Sequence, residues 1–157
     1  MADQTALSLD ELLAQEDRLQ FDSFDHNTAW QLGCALLEEA LSREVGVTVD
    51  ITRGDQQVFH AAMAGTNADN DDWVARKIRV VRRFGHSSYY LGRTYTDRGA
   101  NFTDQVHLDP ALYAAHGGCF PILIGGAMVG TVTVSGLPQA EDHELVVSTL
   151  EEFLLTR

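Results

Sequence analysis

The pair Gly125-Gly126, set between Leu123-Ile124 and Met128-Val129, constrains this chain more than any other short stretch. Two adjacent glycines supply the positive φ angles that a two-residue hairpin turn demands, so the apolar runs on either side are read as antiparallel partners. The second run continues through Val129-Gly130-Thr131-Val132-Thr133-Val134-Ser135-Gly136, which alternates as a strand does. A second hairpin is predicted upstream. Val47, Val49 and Ile51 alternate with Thr48, Asp50 and Thr52, putting an apolar set on a core face and a polar set on the other. Gly54-Asp55 then turns the chain into a strand over Gln57 to Met63, with Phe59, Ala61 and Met63 on one face. That loop is too short for a parallel crossover, so the pairing is antiparallel.

Helical signals lie between these strands. Ser8-Leu9-Asp10-Glu11 reads as a capping box opening a short helix to about Asp17, with Arg18 to Phe21 as a short strand after it. Asp25 to Thr28 supplies cap chemistry before Trp30, Cys34, Leu37 and Leu41, whose spacing of four, three and four predicts one buried stripe. Helical spacing begins again at Trp73, runs through Lys77 or Ile78, Val81 and Phe84, and stops at Gly85; a further helix starts at Ser87 or Ser88. Residues 97–115 carry mixed signals, with Asp109-Pro110 opening a single helical turn. After Pro138, the carboxylates Glu141 and Asp142 mark the start of a terminal helix with Leu145, Thr149 and Phe153 on its stripe. The order implies an α+β fold in which helices pack on an antiparallel sheet.

At 157 residues and 45% hydrophobic content, one domain with one substantial core is expected over residues 1–157, residues 1–18 forming an N-terminal helical extension. No stretch approaches the roughly 18 apolar residues of a membrane span, and Met1-Ala2-Asp3-Gln4 lacks the basic-then-apolar layout of a signal peptide, so a cytoplasmic protein is expected. A net charge of −12 repels phosphate backbones and disfavours nucleic-acid and anionic-membrane partners. Cys34 and Cys119 form no disulfide framework and no CxxC pair.

Two constellations stand out chemically. In His116-Gly117-Gly118-Cys119, two residues without side chains follow an imidazole, which lets a ligand or another backbone segment come close; the alternative is a strand-entry turn with a solvated histidine. Cys119 lies three residues from His116, yet positions i and i+3 of a strand face opposite ways, so a thiolate–imidazole pair requires Gly117-Gly118 to fold back. The second is Arg76-Lys77-Ile78-Arg79-Val80-Val81-Arg82-Arg83, which holds five of the chain's 11 basic residues. At helical spacing Arg76, Arg79 and Arg83 share a face and could clamp a carboxylate or phosphate, or else pair with the surplus carboxylates of this chain or of a second copy. His86 and Ser87 follow directly, Ser87 as a helix cap first of all. None of the six histidines falls in an HxH or HExxH pattern, so a dedicated zinc site is not expected.

Gly117-Gly118, Phe120-Pro121-Ile122, Val129-Gly130, Val134-Ser135-Gly136 and Glu141-Asp142-His143 together resemble the haem-degrading domain family of HbpS-like and GlcG-like proteins, with Cys119 inserted before Phe120. Asp71-Asp72-Trp73, Arg76-Lys77, Val81, Arg83-Phe84 and Ser87-Ser88 further resemble a short intracellular branch of it. The resemblance spans roughly residues 20–155. It implies a profilin-like or PAS-like fold, haem as a cofactor or ligand, and self-assembly into dimers or higher closed oligomers. It carries no catalytic residue onto this chain, and whether the protein is an enzyme is left open.

A haem iron needs only one axial imidazole or thiolate from the protein, so histidine spacing does not exclude it. His116 is the expected iron ligand and Cys119 the next candidate. The expected binding site comprises His116, Gly117, Gly118 and Cys119 with Arg76, Lys77, Arg83, His86 and Ser87, the cationic groups suiting haem propionates or another small anion. The competing expectation is an oligomeric scaffold in which the hairpin and basic helix are subunit contacts.

Overall fold

A computed structural model describes residues 6–157; Met1 to Thr5, including the stretch read as lacking an export signal and the start of the N-terminal extension, lie outside the described residues. The elements in chain order are α1 (Leu9–Arg18), α2 (His26–Ser42), β1 (Thr48–Arg53), β2 (Gln56–Ala62), α3 (Ala68–Phe84), α4 (Ser88–Thr96), α5 (Phe102–Val106), β3 (Cys119–Ile124), β4 (Ala127–Ser135) and α6 (Gln139–Leu155). The four strands form one sheet in the order β2-β1-β4-β3, every neighbouring pair antiparallel. Gly125 and Gly126, at φ 56° and 83°, turn β3 into β4.

The pleat gives the sheet two unlike faces. Val49, Ile51, Phe120, Ile122, Val132 and Val134 point to one side, where Leu32 and Leu36 of α2 and Leu145 and Leu150 of α6 complete the main core. The other side carries Thr48, Asp50, Thr52, Thr131, Thr133 and Cys119, all buried beneath α3. The alternation of β1 therefore holds, but its polar half is buried. Thr52 and Thr131 meet this by hydrogen bonding to each other at 2.7 Å, while Asp50 Oδ2 accepts from Gln57 Nε2 at 2.6 Å and lies 2.8 Å from His60 Nδ1.

Helix α2 departs from the expected packing. Trp30 and Leu41 are 64% and 65% exposed, and the buried stripe is Ala29, Leu32, Leu36 and Ala40. The physical reason is proximity: Gly33 sits so close to Phe59 that an added Cβ would lie 2.5 Å from its ring, and with Gly33 turned to β2 the stripe that faces the sheet is the one carrying Ala29, Leu32, Leu36 and Ala40. Helix α3 begins at Ala68, a full turn before Trp73, because Asn67 caps it: its Oδ1 accepts from Asp69 N–H at 2.9 Å and Asn70 Oδ1 accepts from Asn67 N–H at 3.0 Å.

The Ser8–Glu11 capping box, the Gly85 stop and the Ser87 cap stand where the sequence puts them. Arg18 ends α1 rather than opening a strand, and the chain after it touches β3 through a single parallel bridge between Gln20 and Leu123. In the region of mixed signals, Asn101 caps the five-residue α5, and Tyr113 N–H closes one helical turn onto Asp109 O.

Candidate functional site

His116 stands where the α3 layer meets the start of α6. Directly after it, Gly117 donates its N–H to Gln139 Oε1 at 3.0 Å, and a Cβ on Gly117 would lie 2.2 Å from Gln139 O. Gly118, at φ 135°, would place a Cβ 2.3 Å from Val134 O and 2.7 Å from Lys77 Nζ. The two glycines thus let the turn slide between β4 and α6, and the close approach they permit is made by the chain's own backbone.

The His116 ring itself is exposed and makes no hydrogen bond among the described residues. It leans on Trp73, ring centroids 5.1 Å apart, and the Arg76 guanidinium lies 3.9 Å from the centroid of the same indole. Two hollows share His116 and Gln139. One, of ≈ 310 Å³, is walled by Asn70, Trp73, Ser135 and Asp142; the other, of ≈ 150 Å³, by Gly92, Arg93, Thr96 and Phe102. Partial burial, reinforced by the positive charges of Lys77 and Arg76, holds the imidazole below its ordinary pKa. At neutral pH the ring is uncharged and offers a lone pair.

Beneath the first hollow lies an ion pair. Lys77 Nζ is 3.1 Å from Asp142 Oδ2 and donates to Val134 O at 3.1 Å, while Asp142 Oδ1 accepts from Leu137 N–H at 2.9 Å. Each residue is 2% exposed. Burial pulls the ammonium's pKa down and pushes the carboxyl's up, in each case by more than the partner's charge restores.

The sequence model of the family described as haem degrading protein HbpS-like matches residues 24–151. This chain belongs to that family. It is 52% identical over 151 residues to a UPF0303 protein of Streptomyces coelicolor, covering 96% of both chains. Among solved structures it is similar to Ybr137w, with a TM-score of 0.87 and 31% identity over 96% of this chain and 89% of that one. It also shares its fold with a PduOC:heme complex, at a TM-score of 0.69 and 18% identity, over 82% of this chain and 94% of the other.

Within this HbpS-like chain the structure gathers His116, Gly117, Gly118, Arg76 and Lys77 around one corner and places the other candidates elsewhere. Cys119 is fully buried in β3, its backbone bonded to Ser88 Oγ, and burial pushes its thiol up to about 12, so no thiolate forms there near neutral pH. Arg76, Arg79 and Arg83 do share a face, and that face holds residues 110–113: they donate to Pro110 O, Leu112 O and the Tyr113 hydroxyl. Arg76 also pairs with Asp72 at 2.9 Å. His86 lies 3.1 Å from Glu16 Oε2, and the Ser87 hydroxyl caps α4. Neither lines a hollow that His116 lines.

The walls add Asn70, Trp73, Gln139 and Asp142, residues the motif reading did not assign to a site. Trp73 and Asp142 were legible only as helix positions. Their convergence on His116 joins α3 to α6, a long-range contact that no local spacing reports.

Proposed function

We propose that this protein binds haem through His116, with the Arg76 guanidinium supplying positive potential for the propionates, and that a small anion of similar charge is the alternative ligand of the same corner; Lys77, expected from the sequence to join it, is enclosed and already paired with Asp142. The observation that carries this reading is His116 itself: an exposed, neutral imidazole with no hydrogen-bond partner among the described residues, standing beside an indole face and between two hollows. Haem iron supplies an open coordination position for such an imidazole. The residues suit the group in kind, since His116 offers an unpartnered ring nitrogen and the Arg76 guanidinium, stacked on Trp73, stands on the same side of α3. Gly117 and Gly118 act by keeping the turn tight against Gln139, which fixes where the ring projects. Membership of the HbpS-like family supports the same ligand.

Hemin titration followed in the Soret band tests it. His116→Ala should weaken haem affinity at least about tenfold, or about 1.4 kcal/mol. An unchanged titration would remove His116 as the ligand and leave the scaffold reading.

That second reading has its own support in α2. Trp30, Cys34, Leu37 and Leu41 are spaced as the seam of a two-helix contact; Trp30 and Leu41 stand exposed, and Cys34 and Leu37 between them are half-buried against the main core. Arg157 lies against Gln31 and Thr28 near the start of α2, and the exposed Glu38 and Glu44 lie near its end. An antiparallel, two-fold meeting of two α2 helices sets these opposite charges against each other, and self-association through this face is part of the proposal. Trp30→Glu combined with Leu41→Glu should convert the oligomer to monomer in light scattering after size exclusion; an unchanged mass would place the contact elsewhere. A cytoplasmic location is part of the proposal; the free thiols of Cys34 and Cys119 suit a reducing compartment.

A further inference from the structure

A third hollow, of ≈ 330 Å³, lies between α1, α4 and α6 and shares no residue with the two beside His116. Leu7, Tyr89 and Val147 give it an apolar wall, Glu144 and Glu151 add carboxylates, and His143 completes it. His143 is 2% exposed, its ring 4.9 Å from that of Tyr89 and 6.1 Å from that of Phe120. Its Nε2 lies 2.8 Å from Gln15 Oε1. A carbonyl oxygen only accepts, so Nε2 carries the proton and Nδ1 the lone pair. That Nδ1 is closed to solvent and has no hydrogen-bond partner among the described residues, so a donor in the hollow reaches it only as the side chains over the ring give way.

A buried acceptor left unpaired costs free energy that a donor placed beside it returns. The carboxylates of Glu144 and Glu151, together with the lone pair, repel anions. Their arginine partners, Arg43 and Arg18, do not line the hollow. Burial keeps the imidazole neutral by holding its pKa down to about 4, so it presents an acceptor throughout the neutral range.

We infer that this hollow binds a small uncharged or cationic aromatic molecule whose single N–H or O–H donates to His143 Nδ1. The apolar wall and the Tyr89 ring take the flat body, and the imidazole selects the donor. The chemistry is opposite to that of the His116 corner, which favours an anionic ligand.

Indole is the probe, and benzothiophene, equal in shape but without the N–H, is its control. In a titration of the isotope-labelled full-length protein followed by NMR, indole should give saturable shifts centred on Tyr89, His143 and Val147, with benzothiophene binding at least about tenfold more weakly. Ala140→Trp, at an exposed position on the same wall, should block indole without disturbing the core. His143→Phe should bring the two probes to equal affinity. Equal binding of both probes by the wild-type protein, or no saturation by indole, overturns the inference. His116→Ala should leave indole binding unchanged, so failure here and failure of the haem reading are told apart.

Discussion

Replacing Asp142 with alanine should destabilise the protein by about 3 to 5 kcal/mol, the usual cost of removing one partner from a buried ion pair. Lys77 would keep a hydrogen bond to Val134 O but lose its counter-charge, with a side chain only 3% exposed and no route to water short of moving α3. Leu137 N–H would lose its acceptor as well, loosening the Leu137–Pro138 entry to α6. A typical domain holds about 5 to 15 kcal/mol in total, so the loss is a large fraction of what keeps the chain folded. The check is urea unfolding. The double variant Lys77→Met with Asp142→Leu removes both charges and fills the space, and it should recover most of the loss, since a buried pair exchanged for apolar residues of similar volume is often neutral. If the alanine variant unfolds at the wild-type midpoint, the pair does not hold α3 to α6.

Lys77 also shows where sequence reading reaches its limit. Val74, Lys77, Ile78 and Val81 recur at three, one and three, the spacing of a buried helical stripe, so the inward placement of Lys77 was written in the pattern. It was masked by the charge run around it, which invites a single reading for five residues that the helix sends in different directions. The glycine-turned hairpin, the Ser8–Glu11 box and the Gly85 stop were legible because each is decided by backbone chemistry within a few residues. The stripe of α2 was not, because that helix has two apolar faces and the choice between them is made by Phe59, across the sheet, pressing on Gly33. The site divides along the same line. His116 and its glycines were visible as a local motif, whereas Asp142, Gln139 and Trp73 join it only through packing that the linear order conceals.

The pH dependence of stability follows from the same buried layer and centres on His143. Its ordinary pKa of 6.5 applies in the unfolded chain, while in the folded protein burial lowers it to about 4, against a small opposing pull from Glu144. Between these values the unfolded state binds a proton that the folded state refuses, so stability rises with pH across this window. His143 therefore contributes its full stabilisation above pH 6.5 and loses it as pH falls towards 4, about 3 to 4 kcal/mol in all at ~1.4 kcal/mol per pH unit. Asp142 and Glu16 act in the other direction, because their pKa values are raised by burial and their stabilisation is lost as pH climbs through those raised values. Comparison with His143→Phe isolates the histidine: the ring stack on Tyr89 is kept, the two carboxyls are untouched, and only the buried imidazole stops titrating. In denaturant unfolding across pH 4 to 7.5, the wild-type protein should lose stability towards acid more steeply than the variant, the two curves diverging below pH 6.5. Parallel curves would mean that the imidazole meets water in the folded state, and the enclosed Nδ1 on which the aromatic-ligand inference rests would be gone with it.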